Sequence, residues 1–431
     1  MEGHLTMSHK ELQRKSVLEL VRDGRITLAE GSRRMGLSYR QTLRVYSRFT
    51  AEGDAGLVHR RRGRRSNRSY AAVFRAQVMT RYEEKYKPIE MGPTLAAEKL
   101  ALDGLAVDHE TLRRWMLEEG HWQLRRRRRA HRTRRERRAH FGELVQMDGS
   151  HHRWFGPQEE QACLLNMVDD ATGVTLGLMD QEETTEAAMR QLWRWIERFG
   201  IPVALYTDKK NVYIPSRGPT LEEQLAGEAH KTAFGKACDK LGIEIIAAHS
   251  PQAKGRVERS NGTYQDRLVK ELALQGITTC EGADQLLRSG FCEDLNTKFA
   301  VAPLKAQDYH RPVPKGLRLE DVFSFEAHRV LQNDWTIRYH NQYYQILEEN
   351  RPLPKPKDKV LVRTRLDGTV HLLYRGKPLA FRPISVKEVH QQRQAKAKTP
   401  VSVSKSKNPP KPKKHWRPNV DRLAVLNERT R

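Results

Sequence analysis

The sequence predicts a multidomain protein with α-helical units at its N-terminus, an α/β domain at its centre and a small β-barrel towards its C-terminus. Three observations predict it. Helix-capping signatures and 3.6-residue apolar spacing run through the first 120 residues. From residue 141, apolar strand-like stretches alternate with amphipathic helices, the pattern of an α/β domain. Residues 320–385 alternate apolar and polar side chains around turn signals.

Charge narrows the class of partner. The chain has 431 residues and a formal net charge of +25. Such an excess calls for a polyanion, with nucleic acid ahead of an acidic membrane surface. No apolar run approaches the roughly 20 residues of a membrane span. The N-terminal stretch MEGHLTMSHKELQRK lacks the apolar core of a signal peptide. A cytoplasmic, nucleoid-associated protein with no membrane partner is expected. Cys163, Cys238, Cys280 and Cys292 are widely spaced and form no C-x-x-C pair. They read as reduced residues, not as a zinc knuckle or disulfide framework.

Residues 1–58 carry a helix-turn-helix pattern. In ELQRKSVLELVRDGR, Val17, Leu18 and Val21 share one face. Thr27 and Glu30 form a T-x-x-E capping box, and Gly36 supplies a helix stop. Ser38 and Gln41 form a second box, S-x-x-Q, with Tyr39, Arg40, Gln41 and Arg44 near the start of the helix it opens. In this motif that end of the second helix faces base edges, which Arg and Gln read bidentately. The plainer alternative is a helical bundle with a solvated basic face. Residues 59–69 form a basic linker. Residues 70–120 repeat the helical pattern, with Asp108 as a cap, Leu112, Trp115 and Met116 inward, and Arg113 and Arg114 pointing elsewhere. Here a second DNA-reading unit competes with a dimerisation bundle. Residues 121–140 form a second, almost wholly basic linker whose affinity for duplex would fall steeply with salt.

Residues 141–280 form the predicted α/β core, 281–319 a helical connector, 320–388 the small barrel and 389–431 a basic, disordered tail. In the core, ELVQMDG, VALYTD and GIEIIAAHS read as strands. QACLLNMVDD and TGVTLGLMD read as a hairpin, TTEAAMRQLWRWIERFG as an amphipathic helix, and GRVERSNGTYQDRLVKELALQG as a long final helix. Asn341-Gln342 and Asp367-Gly368 mark turns of the barrel.

Three acids stand out in the core. Asp148 ends the first strand, Asp208 ends a later one, and Glu258 lies near the start of the final helix. In a ribonuclease-H-like sheet those strands are neighbours and the helix crosses the same edge. Like charges brought together repel unless a cation intervenes, so such a cluster is poor structural filler. Hard carboxylate oxygens select Mg²⁺ or Mn²⁺. Two such ions about 3.5–4 Å apart stabilise the attacking and leaving oxygens of an in-line phosphoryl transfer. Glu244 competes for the third place, because 35 residues separate it from Asp208 against 49 for Glu258. Glu244, however, falls inside a strand, so the final helix favours Glu258. Asp169 and Asp170 read as a turn, and Glu182 and Glu183 as acids suited to a helix dipole. Lys254 and Arg256 flank Glu258 and are candidate phosphate contacts, against an exposed basic turn. His151, His152 and His249 lie nearby but are not read as ligands, since hard ions need no imidazole.

The ordered motifs QMDGS, VDDATG, YTDKKNVY and HSPQAKGRVERSNGTYQDRLVKEL resemble the integrase core of insertion-sequence transposases, the ISNCY group above all. The resemblance spans all but the extreme termini, and its last motif is the most specific. It implies a ribonuclease-H-like fold and a DDE triad of Asp148, Asp208 and Glu258 with Mg²⁺ or Mn²⁺. It also implies cleavage at transposon ends, then strand transfer into target DNA within a homo-oligomeric synaptic complex. Lys-Lys-Asn after Asp208 departs from the Asn-Gly or Lys-His of many relatives and puts local DNA contacts, more than catalysis, in doubt. Two other functions compete. A non-enzymatic DNA-binding regulator would not be held to three clustered acids. A ribonuclease-H-type nuclease would not need tandem DNA-reading units.

Overall fold

The computed structural model describes residues 5–60, 62–63, 69–123, 135–215, 218, 230–247, 254–385 and 387–388. The basic stretch 124–134, the segment around His249 and the expected disordered tail lie outside the described residues. The chain forms two compact units, Met1–Arg125 and Arg126–Arg431.

In the first unit, helix α1 (His9–Arg22) opens on a capping box formed by Ser8 and Glu11, one box more than the sequence reading found. Thr27 Oγ1 accepts from Glu30 N at 3.2 Å to start α2 (Leu28–Met35). Gly36 ends it with a left-handed φ of 62°. Ser38 Oγ then accepts from Gln41 N at 3.3 Å to start α3 (Tyr39–Glu52). Leu18, Val45, Phe49 and Leu57 form the small core beneath these helices. A second helical group follows. Helix α4 (Ala72–Arg81) runs on into a π-helical turn, Tyr82–Tyr86. After α5 (Pro93–Leu102), Asp108 caps α6 (His109–Glu118) by accepting from the amides of Glu110 and Thr111. Val78, Leu100, Leu112 and Met116 are fully buried there. Each such side chain contributes roughly 1.5–3 kcal/mol.

The second unit is built on a five-stranded mixed sheet in the order β3-β2-β1-β4-β5, the ribonuclease-H-like arrangement. Strands β1 (Leu144–His152), β2 (Ala162–Asp169) and β3 (Thr175–Asp180) form an antiparallel meander. Strands β4 (Ala204–Thr207) and β5 (Glu244–Ala247) add on in parallel beside β1. Every residue of β2 is buried, because helices cover both faces of the sheet and its sequence is a near-continuous apolar run. Leu192 and Trp195 of α7 (Thr185–Phe199), Phe234 of α8 (Ala233–Leu241) and Tyr264 and Leu268 of α9 (Gly255–Gln275) fill the core against it. Truncating Leu192 to alanine would cost about 2–5 kcal/mol.

The segment expected as a helical connector is part of this core. Ala283 of α10 (Cys280–Leu286) and Cys292 and Leu295 of α11 (Cys292–Phe299) pack into it. A π turn with Gly290 at φ 136° separates the two helices and breaks the apolar period, which hides their common buried face in the sequence.

The C-terminal strands form two sheets. Strands β6 (Ser324–Val330), β9 (Lys359–Arg365), β10 (Val370–Tyr374) and β11 (Lys377–Leu379) make one. Strands β7 (Thr336–Tyr339), β8 (Gln342–Ile346) and β12 (Phe381–Ile384) make the other. Both contribute to one core containing Ile337, Ile346, Val360, Val362 and Leu372. Among the described residues no ladder joins the two sheets into a closed barrel. The hairpin at Asp367-Gly368 forms as expected, with Gly368 at φ 82°. The β7–β8 turn falls one residue earlier than expected. His340 and Asn341 take φ 45° and 59°, and Tyr339 pairs with Gln342. A two-residue hairpin of this type I′ form needs positive φ at both central positions, which Asn and His tolerate better than Gln. Among the described residues no helix is long and apolar enough to cross a membrane.

Candidate active site

The register of the sheet aligns two of the three acids. Leu144, Val145 and Gln146 pair in parallel with Ala204, Leu205 and Tyr206. Asp148 and Asp208 each lie two residues beyond the last of these pairs. They therefore stand at the same level of neighbouring strands.

Helix α9 crosses the same place. Val257 N donates to Gln146 Oε1 at 3.1 Å, and Gln265 Nε2 donates to Ser150 Oγ at 3.0 Å. Between them, Asn261 Nδ2 donates to Asp148 Oδ2 at 3.1 Å. Lys254 Nζ donates to Asp148 Oδ1 at 2.8 Å. Asn166 Nδ2 steadies Asn261 through its Oδ1 at 2.9 Å. Glu258 is four residues after Lys254 and three before Asn261, so all three share one helix face. It is exposed, while its two neighbours hold Asp148. Glu244 is placed differently. It pairs with Ala204 at the start of β5, level with the beginning of β4. Four residues of strand, about 13 Å, separate that level from Asp208.

Asp148 and Asp208 lie level on neighbouring strands and Glu258 lies on the helix that holds Asp148, but among the described residues the three do not form a ligand cluster. Among the described residues, the two groups whose ligand atoms all lie within 4.8 Å of one another are His151–Cys163–Glu183 and Glu83–Glu119–His121. The chemistry of the triad region nonetheless fits a divalent cation. Asp148 and Asp208 present hard oxygens, and Lys254 already sets an ammonium on Asp148 where a metal ion would bind. Lys210 does the same for Asp208, with Nζ 3.4 Å from Oδ2 and its amide donating to Oδ1 at 3.2 Å.

Several further residues matter here that local sequence pattern does not single out. Asn261 and Gln146 anchor α9 on β1. The seven-residue interval between Lys254 and Asn261, two helical turns, was a legible signal for the former. Glu183 does not merely face a helix dipole. Its side chain is only 4% exposed and accepts from Tyr213 OH at 2.8 Å and from Lys210 Nζ. A Cβ on Gly149 would collide with that carboxylate and come within 3.1 Å of Cys163 Sγ. A glycine inside a strand, next to Asp148, was the sign of this close approach. Burial works against the charge of Lys210, but Glu183 and Asp208 beside it raise its pKa above the usual lysine value. Burial, with Glu183 adding, pushes the Cys163 thiol up to about 12.

Asp169 forms the expected turn, accepting from Thr172 N and Oγ1, each at 2.7 Å. Asp170 does more. Fully buried, it accepts from Gln146 Nε2 at 2.7 Å, Arg256 Nη1 at 2.8 Å and Arg138 N at 2.9 Å, and it pairs with Arg135. Arg256 also donates to the Arg135 carbonyl at 3.1 Å. The guanidinium expected at a phosphate is thus engaged inside the protein, fixing the start of α9. Lys254, the other expected phosphate contact, is engaged by Asp148.

In the first unit, Tyr39, Arg40, Gln41 and Arg44 are all exposed along the first turns of α3. Arg113 is paired with Glu110 in a two-pronged contact, and exposed Arg114 reaches Thr111 Oγ1 at 3.3 Å. Of these six residues, the four on α3 present the more open surface. Of the nearby histidines, His151 and His152 lie at the end of β1, and His249 lies outside the described residues.

Residues 13–65 match the family described as "Helix-turn-helix domain". The chain is 39% identical over 384 residues to "Putative transposase y4bF" of Sinorhizobium fredii (strain NBRC 101917 / NGR234), covering 88% of this chain and 82% of that protein. It is 34% identical over 271 residues to "Transposase for insertion sequence IS1202" of Streptococcus pneumoniae, covering 61% of this chain and 56% of that one. Among solved structures, the HTLV-2 integrase catalytic core domain in complex with magnesium aligns at 19% identity and a TM-score of 0.26, covering 36% of this chain and 88% of that chain.

Proposed function

The chain belongs to the transposase family, and on that premise we propose that it cuts DNA at the ends of its element and joins them to target DNA through Asp148, Asp208 and Glu258. The observation that carries the reading is the alignment of Asp148 with Asp208 across β1 and β4, under a helix that holds Asp148 from both sides of Glu258.

In this reading the three carboxylates hold two Mg²⁺ or Mn²⁺ ions. Bound there, the ions supply Lewis acidity at the scissile phosphate and favour the deprotonated form of the attacking water or 3′-hydroxyl. The remaining work falls to side chains of this chain. Asn261 orients Asp148 by donating to one of its oxygens. Lys254 and Lys210 balance the negative charge of the aspartates and would offer ammonium groups to an incoming phosphodiester. Asp170, through Arg256 and Gln146, keeps the start of α9 seated so that Glu258 stays between Lys254 and Asn261, which hold Asp148. Exposed Tyr39, Arg40, Gln41 and Arg44 on α3 read the terminal repeats in a major groove, with 70–120 as a second reading unit. Synapsis of two ends calls for a homo-oligomer.

The test is Asp148→Asn. Binding to duplexes carrying the element's terminal repeats should persist, while Mg²⁺-dependent cleavage and strand transfer disappear. Retained strand transfer in that variant would overturn the triad. Wild-type protein that binds the ends but never cuts them would favour a DNA-binding regulator.

A further inference from the structure

The geometry points to a second metal site of different chemistry on the other face of β1. We propose that His151, Cys163 and Glu183 bind a borderline-soft divalent cation of the Zn²⁺ type. His151 and Cys163 are directly opposite one another on β1 and β2, so their side chains emerge on the same face of the sheet. Glu183 arrives over them from the turn before α7. The ligand atoms of the three residues all lie within 4.8 Å of one another.

Donor type decides which ion fits. An imidazole nitrogen, a sulfur and one carboxylate oxygen suit tetrahedral zinc, whereas Mg²⁺ demands near-octahedral oxygen. Zinc–ligand bonds of about 2.0–2.3 Å set neighbouring ligand atoms roughly 3.3–3.8 Å apart. His151 Nε2 is 3.9 Å from Glu183 Oε2, so only small movements close the shell.

The surroundings agree with a cation at this place. Gly149 leaves the space that any side chain would fill between Glu183 and Cys163. Lys210 already sets a positive charge against the Glu183 carboxylate. The His151 side chain is about half exposed, which gives solvent ions a route in and leaves the fourth position open to water. Binding would release the Cys163 thiol proton to solvent and leave a thiolate on the metal. The site does not depend on the proposed triad, although Lys210 touches both Glu183 and Asp208 and so couples the two.

The experiment is a Co²⁺ titration of the full-length reduced protein, read by absorption. One equivalent should give intense tetrahedral d–d bands and a near-ultraviolet thiolate-to-cobalt charge-transfer band. Zn²⁺ should displace the signal, and excess Mg²⁺ should not. Cys163→Ser keeps the shape of the side chain and the other three cysteines, and it should abolish the charge-transfer band while leaving the circular dichroism unchanged. His151→Ala should weaken affinity by at least the roughly 10–100-fold seen when even an outer-shell partner is lost. Asp148→Asn should keep the band, so failure of the catalytic reading would leave this result standing. No charge-transfer band in the wild-type protein, or a band that survives Cys163→Ser, overturns the proposal.

Discussion

Lys254 Nζ donates to Asp148 Oδ1 at 2.8 Å, so an ammonium group occupies one oxygen of the aspartate that we propose as a metal ligand. Both side chains are largely shielded, which strengthens the pair beyond an ordinary surface contact. A metal ion must displace the lysine to use that oxygen. Lys254→Met should therefore tighten Mn²⁺ binding, measured calorimetrically, by roughly fivefold, or about 1 kcal/mol. Strand transfer should fall in the same variant, because the displaced ammonium is no longer there to meet the phosphodiester. Unchanged Mn²⁺ affinity would mean that lysine and metal do not compete.

The pairing of Glu244 with Ala204 makes the choice of third acid testable. Glu258→Gln should lower strand transfer by on the order of 10²–10³, the usual loss when one transition-state electrostatic contact is removed. Glu244→Gln alters an exposed strand start and should stay within about twofold. The reverse pattern would restore the more obvious spacing.

How far the sequence could be read depends on the range of each interaction. Thr27, Ser38 and Asp108 announced their helices because a cap is a contact across two or three residues. Asp208 was visible at a strand end, but Asp148, expected to end its strand, lies in the middle of β1 because pairing with β2 continues to His152; their common level needed only the strand order of the sheet. The place of Glu258 in the first turn of the final helix was legible from the amphipathic stretch that follows it. Glu183 does lie just before a helix, as expected, but its neighbours come from β1, β2 and the loop after β4, which local sequence does not show. Asp170 looked like a turn residue because its donors Gln146 and Arg256 are 24 and 86 residues away. The same distance hid the engagement of Arg256, whose flanking of Glu258 suggested a free phosphate contact. Two π turns and the closing of the C-terminal strands as two sheets depend on packing, which periodicity does not record.

Asp170 gives a stability prediction. Removing one partner of a buried ion pair leaves the others desolvated, at a cost of about 3–5 kcal/mol. Asp170→Ala should show that loss in urea unfolding, with strand transfer lost and terminal-repeat binding kept at temperatures where the protein remains folded. Arg256→Ala should also destabilise. If it instead leaves stability unchanged and reduces the salt slope of DNA affinity by about 0.9, it is a phosphate contact.

The α3 surface predicts where specificity resides. Arg40→Ala and Arg44→Ala should each weaken binding to the terminal repeat by about 1–3 kcal/mol, the value of a bidentate base contact. Binding to unrelated duplex should change far less. Arg113→Ala should have the smaller effect on specific binding, since Glu110 already takes that guanidinium. Equal losses on specific and unrelated DNA for the α3 variants would reassign that helix to backbone contact.

Glu11 supplies a pH dependence for the first unit. Its carboxylate accepts from Ser8 N at 2.7 Å and His59 N at 3.0 Å and pairs with Arg62, tying the start of α1 to the residues after Leu57. The Ser8 amide, against the opposing effect of burial and with help from the His59 amide, the Ser8 hydroxyl and Arg62, holds its pKa down from 4.5 to about 2. A carboxylate whose folded pKa is depressed stabilises the fold fully above its unfolded pKa and loses that contribution as pH falls through the folded one. Hydrogen-exchange protection of His9–Arg22, corrected for intrinsic rates, should therefore be constant from pH 7 to about 5 and decline from about 4.5 towards 2. Glu11→Gln cannot ionise, so its protection should be lower at pH 7 and lack the Glu11-dependent part of that decline. Wild-type protection that does not fall between those limits, or a variant that follows the wild type throughout, would show that Glu11 does not tie the start of α1 to the residues after Leu57.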